Sequence, residues 1–167
     1  GKVAIVTGAA SPRGLGRAMT EALVKAGARV SMMDINQQWL DETSNYLREI
    51  GGDDCVMAQV VDVTSIGEAE RSIERTIQKL GGLHILVNNA GILLNKSPTW
   101  STTIAEWDTI MQVNLRGVFL CSHALIPHMI ERKSGAIINI GSSSGRMADD
   151  EYGPYAASKW GVVGYTM

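Results

Sequence analysis

The stretch that decides the fold is VAIVTGAASPRGLG, residues 3–16. It joins a short apolar run to a glycine-rich turn and then to the start of a helical pattern. Such a turn between a strand and a helix is typical of a phosphate site, because glycines permit a tight turn and the helix N-terminus presents free amide groups. Glycines also serve packing alone in such turns, so this stretch by itself leaves both interpretations open.

The same alternation of apolar and amphipathic stretches continues along the chain. Strands are predicted at residues 3–6, 28–33, 55–61, 83–87 and 136–140, and helices at 15–26, 37–50, 68–80 and 104–132. Near-continuous apolar runs are typical of a parallel sheet covered on both faces. We therefore expect an α/β fold with a doubly wound, Rossmann-like parallel sheet, in a single domain of residues 1–167.

Two details refine this prediction of the fold. Ser65 with Glu68 and Thr103 with Glu106 have the spacing of capping boxes, which predicts the starts of two helices. A last helical pattern opens at YAASKWGVVGYTM and stops with the chain, so we expect a fold truncated on its C-terminal side.

Composition and charge exclude several classes of protein. The 167 residues are 45% hydrophobic, which suits a packed core, and the net charge of -2 does not favour a nucleic-acid or anionic membrane partner. No apolar run reaches the roughly 18 residues of a transmembrane helix. Cys55 and Cys121 lack metal-ligand spacing, as do the three histidines, so we expect no metal site and two buried free thiols in a cytoplasmic protein.

The ends of four predicted strands carry residues that are compatible with a dinucleotide. Asp34 ends the second strand, where a carboxylate can accept hydrogen bonds from adenosine ribose hydroxyls, although it could instead cap the following helix. Asp62 ends the third strand and could reach the adenine amino group or merely form a turn. The candidate cofactor residues at these strand ends and at the start of the first helix are Gly8, Gly14, Leu15, Gly16, Asp34, Ile35, Asp62, Val63, Asn89, Ala90 and Gly91.

Tyr155 and Lys159 in YAASK are four residues apart on a predicted helix and therefore lie on one face. An ammonium near a tyrosine stabilises its phenolate form, which makes proton exchange easier near neutral pH. Ser142 lies 13 residues before Tyr155 at the end of the fifth strand, where its hydroxyl could share a substrate carbonyl with the tyrosine. Taken alone, Tyr155 and Lys159 could equally be an ordinary pair on the helix surface.

Taken together, these motifs resemble the short-chain dehydrogenase/reductase family over the whole chain. The matching motifs are TG…GLG, NNAG, VNLRG with Asn114, IGSSSG with Ser142, and YAASK. The resemblance implies that Tyr155 is the acid/base and that Lys159 assists the tyrosine and holds the nicotinamide ribose. It implies that Ser142 orients the substrate oxygen and that Asn114 supports a water in a proton relay.

The phosphate loop departs from the family pattern, which has three residues between the first two glycines, whereas five lie between Gly8 and Gly14. Arg13 precedes Gly14, where a basic residue in this family often binds the 2′-phosphate of NADP. Asp34 favours ribose hydroxyls and repels that phosphate, and it lies on a fixed strand end. We therefore expect NAD, with NADP less favoured, and count Arg13 as a cofactor residue.

The resemblance implies an oxidoreductase that transfers hydride between nicotinamide and a secondary alcohol or ketone. It also implies a homotetramer, through the predicted 104–132 helix and the helix near Tyr155. Two alternatives stay open: a 3-oxoacyl-thioester reductase of fatty-acid type, and a nucleotide-sensing module of the same fold without turnover. A non-catalytic module would be expected to lack Ser142, Tyr155 or Lys159, and all three are present.

Overall fold

The computed structural model describes residues 1–147 and 151–167. Five strands alternate with helices along the chain, as predicted. The strands are β1 Val3–Thr7, β2 Arg29–Asp34, β3 Val56–Val60, β4 Ile85–Asn88 and β5 Ala136–Asn139. The helices are α1 Leu15–Lys25, α2 Gln37–Gly51, α3 Ile66–Leu80, α4 Ile104–Met111, α5 Gly117–Arg132 and α6 Gly153–Thr166.

The five strands form one parallel sheet in the order β3-β2-β1-β4-β5. The chain builds one half of the sheet outward from β1 and then returns to add β4 on the other side of β1. This reversal leaves a crevice beyond the carboxyl ends of β1 and β4, which is where open α/β sheets bind ligands. The predicted doubly wound sheet is confirmed, and its topology places the glycine turn after β1 at this crevice.

Apolar side chains fill both faces of the sheet. All five residues of β1 are buried, and successive residues serve opposite faces, with Ile5 in one hydrophobic core and Val6 in the other. The core around Ile5 also contains Leu86 and Leu125, and the core around Val6 contains Leu40. Burial on both faces explains why the strands are continuous apolar runs and not alternating ones.

The helix starts agree with the predicted caps in one case and differ in the other. Thr103 and Glu106 form a full capping box at α4. Ser65 caps α3 by accepting a hydrogen bond from the Glu68 amide at 3.4 Å, but the Glu68 carboxylate accepts from the Asp62 amide and not from Ser65. The reciprocal half of the predicted Ser65–Glu68 box is therefore wrong, because the carboxylate ties α3 to the loop after β3 instead.

The helix predicted at residues 104–132 is interrupted. A π-helical turn, Gln112–Arg116, separates α4 from α5, and its buried member is Asn114. Wider turns of this kind occur frequently at functional sites, because they displace one side chain from the regular helical position. Hydrophobic periodicity does not reveal such a turn, which explains why the prediction treated the segment as one helix.

Two further observations concern the cysteines and the apolar character of the helices. Cys55 and Cys121 are free and buried, as predicted. In the described residues, no helix combines the length and the apolar character needed to cross a membrane.

Candidate functional site

A cleft of about 1050 Å³ opens beyond the carboxyl ends of the strands. All the predicted cofactor residues line it except Arg13, which is exposed outside the lining. The predicted residues that line it are Gly8, Gly14, Leu15, Gly16, Asp34, Ile35, Asp62, Val63, Asn89, Ala90, Gly91, Tyr155 and Lys159. The topology therefore gathers residues from four strand ends and two helices into one cavity of ligand size.

The glycine turn requires its glycines for steric reasons. Gly8 has a φ of +63°, and a Cβ there would lie 2.8 Å from the Ala90 Cα atom. A Cβ on Gly16 would overlap the carbonyl oxygen of Gly8. These contacts show that the glycines let the turn, the start of α1 and the end of β4 approach closely.

Residues at the end of β4 hold this turn. The Asn89 side-chain amide donates to the carbonyl oxygens of Thr7 and Gly8 at 2.9 and 3.0 Å. The Thr7 hydroxyl accepts from the backbone amides of Asn89 and Ala90 at 3.1 and 3.0 Å. Asn89, predicted as a cofactor residue, is thus also a brace for the turn, and Thr7 was missed by the sequence analysis because a strand-end threonine carries no distinctive spacing.

Asp34 is fixed by two backbone amides. Its Oδ2 accepts from Ala10 at 3.0 Å and its Oδ1 accepts from Asn36 at 3.1 Å. The alternative role as a helix cap belongs instead to Asn36, whose side chain accepts from the Trp39 amide. The carboxylate therefore stands at the rim of the cleft in a defined orientation, next to the exposed side chain of Ile35.

The lengthened part of the loop forms its own turn. The Gly14 amide donates to the Ser11 carbonyl at 2.9 Å, and Pro12 offers its carbonyl to the Arg17 guanidinium at 3.3 Å. Gly14 then caps α1 with extended backbone and no side-chain hydrogen bond, whereas side chains cap α2, α3 and α4. The first amides of α1 are therefore not satisfied by a capping side chain and face a cleft that suits a phosphate.

Asp62 and Val63 form the far wall of the cleft. Asp62 is exposed, and its Oδ1 accepts from the Thr64 amide and hydroxyl at 2.9 and 2.8 Å. Val63 is buried, and a Cβ on Gly117 would lie 2.9 Å from the Val63 Cγ2 atom. The turn-forming role that the sequence left open for Asp62 is thus present, and its carboxylate still lines the cleft.

Tyr155 and Lys159, one turn apart on α6, both line the cleft. The Lys159 Nζ atom is 5.8 Å from the centroid of the Tyr155 ring and donates a hydrogen bond to the Ile140 carbonyl at 2.8 Å. Lys159 is only 5% exposed, and this burial lowers the pKa of its ammonium.

Asn114 is buried behind the cleft. Its Oδ1 accepts from the Ile92 amide at 2.8 Å, and its Nδ2 donates to the Ile92 carbonyl at 2.9 Å and to the Ser158 hydroxyl at 3.2 Å. A Cβ on Gly91 would lie 3.4 Å from Asn114 Oδ1 and 3.7 Å from Lys159 Nζ, so both polar groups lie close to Gly91. The π-helical turn thereby links α4, the segment after β4, and α6.

Ser142 lies outside the lining of the cleft, on a turn that packs against α6. Its hydroxyl accepts from the Ser144 amide at 3.2 Å and caps the short 3-10 helix Ser143–Gly145. A Cβ on Gly145 would lie 3.0 Å from the Lys159 carbonyl oxygen. The turn that carries Ser142 is therefore held close to the helix that carries Tyr155 and Lys159.

Two contributions to the site carried no clear sequence signal. Trp39, which is not among the candidate residues of the sequence analysis, lines the cleft and is 41% exposed. Thr43 is fully buried in α2 and donates to the Ala10 carbonyl at 2.8 Å. Trp39 lies in the first turn of α2, which begins beside the cleft, so its place in the lining could have been suspected. Thr43 contacts a residue 33 positions away in the chain, which its own sequence neighbourhood does not indicate.

Nothing in the described ranges, 1–147 and 151–167, gathers three or more histidine, cysteine or acidic residues at a possible metal site. The chemistry of the cleft is instead that of helix amides, glycine backbone, the strand-end carboxylates of Asp34 and Asp62, and a tyrosine-lysine pair. These groups fit a dinucleotide, because the amides suit its phosphates and the Asp34 carboxylate suits its ribose hydroxyls.

Comparisons with known proteins agree with this geometry. Residues 2–167 match the family described as short chain dehydrogenase. The chain is 36% identical to levodione reductase of Leifsonia aquatica over 165 residues, and 36% identical to the 3-oxoacyl-acyl-carrier-protein reductase FabG of Thermotoga maritima over 166 residues. A crystal structure of levodione reductase superimposes with a TM-score of 0.94 over 99% of this chain.

The matches extend over more of this chain than of its relatives. Both matches cover 99% of this chain. They span 61% of the levodione reductase of L. aquatica and 65% of the T. maritima FabG. The fold, the glycine turn and the tyrosine-lysine pair all lie within the matched residues 2–167. This chain belongs to the short-chain dehydrogenase family.

Proposed function

We propose that residues 1–167 form the dinucleotide-binding and catalytic domain of an NAD-dependent oxidoreductase acting on a secondary alcohol or ketone. The observation that carries the proposal is the position of Lys159, a buried ammonium 5.8 Å from the ring centroid of Tyr155, in the same cleft that the glycine turn lines. The dinucleotide, when bound, supplies the hydride acceptor or donor.

Tyr155 exchanges the proton with the substrate oxygen. The ammonium of Lys159 lies beside the ring, and we assign it to electrostatic support of the proton transfer between Tyr155 and the substrate oxygen. Burial makes this influence stronger, because charges interact more strongly where water is excluded. The Ile140 carbonyl holds the ammonium in place at 2.8 Å.

Asn114 and Ser142 complete the set that we assign to the reaction. Asn114 holds the segment after β4 against α6 through its bonds to Ile92 and Ser158, and its Oδ1 faces Gly91 beside Lys159. We assign it to the support of a water that passes protons to the lysine. Ser142 orients the substrate oxygen by hydrogen bonding with its hydroxyl.

NAD is preferred over NADP in this proposal because of Asp34. The carboxylate lines the cleft and is held by two backbone amides, so it accepts hydrogen bonds from ribose hydroxyls and repels a 2′-phosphate. Arg13, the residue that would favour NADP, is exposed and lies outside the lining. It binds the pyrophosphate or remains in solvent.

A second candidate is reduction of a 3-oxoacyl thioester, which the 36% identity to the T. maritima FabG supports. A panel of ketones, sugar alcohols, steroids and acyl thioesters, assayed with NAD and NADP by the absorbance of the reduced nicotinamide, separates the two. Turnover of an alcohol or ketone with NAD supports the first candidate, and turnover confined to acyl thioesters supports the second. Nucleotide binding without turnover of any substrate would indicate the nucleotide-sensing module.

We further propose that the protein assembles as a homotetramer, with a dimer as the lesser form, and acts in the cytoplasm. Large apolar side chains are exposed on α4, α5 and α6, among them Trp107, Phe119 and Trp160. Phe119 also meets Tyr165 edge to face with 6.2 Å between the ring centroids, so exposed aromatic rings of α5 and α6 are in contact. Burying such a surface against a second copy is favourable.

A further inference from the structure

The peptide groups of Ala10 are held by two side chains from different elements. Its amide donates to Asp34 Oδ2 at 3.0 Å, and its carbonyl accepts from the Thr43 hydroxyl at 2.8 Å. Ala10 and Thr43 are both 0% exposed. A residue in the phosphate loop is thus tied on one side to the end of β2 and on the other side to the interior of α2.

These two bonds belong to one chain of contacts that ends at the cleft. Thr43 fixes the Ala10 carbonyl, the Ala10 amide fixes one oxygen of Asp34, and the Asn36 amide fixes the other at 3.1 Å. Each carboxylate oxygen can accept a further hydrogen bond, and Asp34 lines the cleft. The orientation of the carboxylate therefore depends on the orientation of Ala10, and through it on Thr43.

Thr43 itself is absent from the lining of the cleft. Without its hydroxyl, the Ala10 carbonyl would be buried with no side-chain partner, which is unfavourable. The loop would then shift to bring that carbonyl to water, and the amide would move away from Asp34. The lengthened segment after Ala10 can accommodate such a shift, because its turn is held by one backbone bond, Gly14 to Ser11 at 2.9 Å, and by the exposed bond from Arg17 to the Pro12 carbonyl at 3.3 Å.

We infer that Thr43 is a positioning residue for cofactor selection, acting through Ala10 to hold the Asp34 carboxylate in the orientation that receives ribose hydroxyls. This inference rests on the proposed function, since it concerns how the same cleft distinguishes NAD from NADP. If Thr43 were purely structural, loss of its hydroxyl would weaken the binding of both nucleotides alike. If Thr43 positions Asp34, the loss weakens NAD binding more, because only NAD uses both ribose hydroxyls next to Asp34.

The test compares Thr43→Val, which keeps the shape and removes the hydroxyl, with Thr43→Ser, which keeps the hydroxyl. Dissociation constants of NAD and NADP are measured by titration calorimetry without substrate. Thr43→Val should weaken NAD binding about fivefold, the usual effect of one lost hydrogen bond, and lower the NAD-to-NADP affinity ratio by at least about threefold. Thr43→Ser should keep the NAD-to-NADP affinity ratio of the wild type.

A matched control is Thr76→Val in α3. Thr76 is also 0% exposed and donates to a backbone carbonyl, that of Ser72 at 2.7 Å, and it lies outside the lining of the cleft. This variant should lose thermal stability and keep the wild-type affinity ratio. If Thr43→Val does not fold, Thr43→Ala replaces it with the same expected shift in the ratio.

A double-mutant cycle with Asp34→Ala separates the possible outcomes. When Asp34 is absent, removal of the Thr43 hydroxyl should change the ratio no further. An unchanged ratio in Thr43→Val, or an equal shift with and without Asp34, would overturn the inference and leave the proposed function standing. A wild-type protein that binds neither nucleotide would overturn the proposed function and this inference together.

Discussion

The ammonium of Lys159 lies 5.8 Å from the ring centroid of Tyr155, one helical turn earlier in α6. The lysine is buried, and it donates a hydrogen bond to the carbonyl of Ile140, the residue after β5. Its charge is therefore weakly screened by water on the side that faces the tyrosine. This relationship gives the tyrosine a partner that an isolated phenol lacks, and the first prediction depends on it.

Tyr155→Phe should abolish most turnover and leave NAD binding nearly intact. The substitution keeps the ring and removes the exchangeable proton, and general acid-base catalysis typically contributes about 10²–10⁴-fold. Steady-state kinetics give the rate, and calorimetric titration of NAD gives the affinity. A variant that keeps more than about a tenth of the wild-type rate would show that Tyr155 is not the acid/base.

Asp34→Ala should relax the preference for NAD, chiefly by improving NADP binding. A carboxylate about 4 Å from a 2′-phosphate repels it by a few kcal/mol at an effective dielectric near 20, enough for a preference of tenfold or more. NAD binding should also weaken, because the Ala10 amide loses its partner. The ratio of kcat/KM for the two cofactors measures the effect. Equal or better efficiency with NADP in the unmutated protein would assign the choice to Arg13.

The fold could be predicted from the sequence because its signals are local. All five strands appear where apolar runs of parallel-sheet type occur, and Ser65 and Thr103 cap helices with their side chains as predicted. The π-helical turn at Asn114 could not be predicted, since one extra residue in a turn barely changes the hydrophobic pattern. Helix periodicity reports which side is buried and not how the backbone is wound.

The site could be predicted where motifs mark strand ends, and not where side chains act at a distance. Gly8, Gly16 and Asp34 line the cleft as expected. Thr43 could not be found, because its bond to Ala10 joins residues 33 positions apart. Nothing in the sequence distinguishes it from other buried threonines. Contacts of this kind are set by packing between α2 and the loop, which a single sequence does not reveal.

The aromatic surface of α5 and α6 should mediate assembly. We expect light scattering on the purified protein to give a homotetramer, or a dimer as the lesser form. Phe119→Glu should lower the molecular mass in solution, because a carboxylate buried against a second copy is unfavourable. Ile66→Glu, at the start of α3 and 36% exposed, is the matched control and should leave the mass unchanged. A monomeric wild-type protein would contradict the prediction.

His84 should make stability depend on pH. Its Nδ1 accepts a hydrogen bond from the Val3 amide at 3.0 Å, and burial together with the charges of Arg132 and Lys2 lowers the pKa of the imidazole. The unfolded chain, with a pKa near 6.5, then takes up the proton more readily than the folded one. The stabilising effect is therefore complete above about pH 6.5 and is lost as the pH falls through that value toward the lowered pKa.

The measurement is the urea midpoint between about pH 5 and 7.5 for the wild type and His84→Asn. The asparagine can accept from the Val3 amide and does not titrate, so its stability should change less over this range. Parallel curves for the two proteins would show that another group causes the loss.

Gly16→Ala should be far more damaging than Gly67→Ala, although each glycine is the second residue of a helix. A Cβ on Gly16 would overlap the Gly8 carbonyl and lie 2.7 Å from the Asn89 side-chain nitrogen, so the turn would have to open. Forcing a methyl group into such packing costs about 1–3 kcal/mol, and the altered turn should also lose NAD affinity.

At Gly67 the nearest atom is the end of the flexible Arg71 side chain at 3.1 Å, which can move away. Alanine there should stabilise the protein by about 0.4–1 kcal/mol, because the unfolded chain loses conformational freedom. Denaturant unfolding and NAD titration of both variants test the pair. Wild-type stability and NAD affinity in Gly16→Ala would mean that α1 does not approach the glycine turn as closely as described.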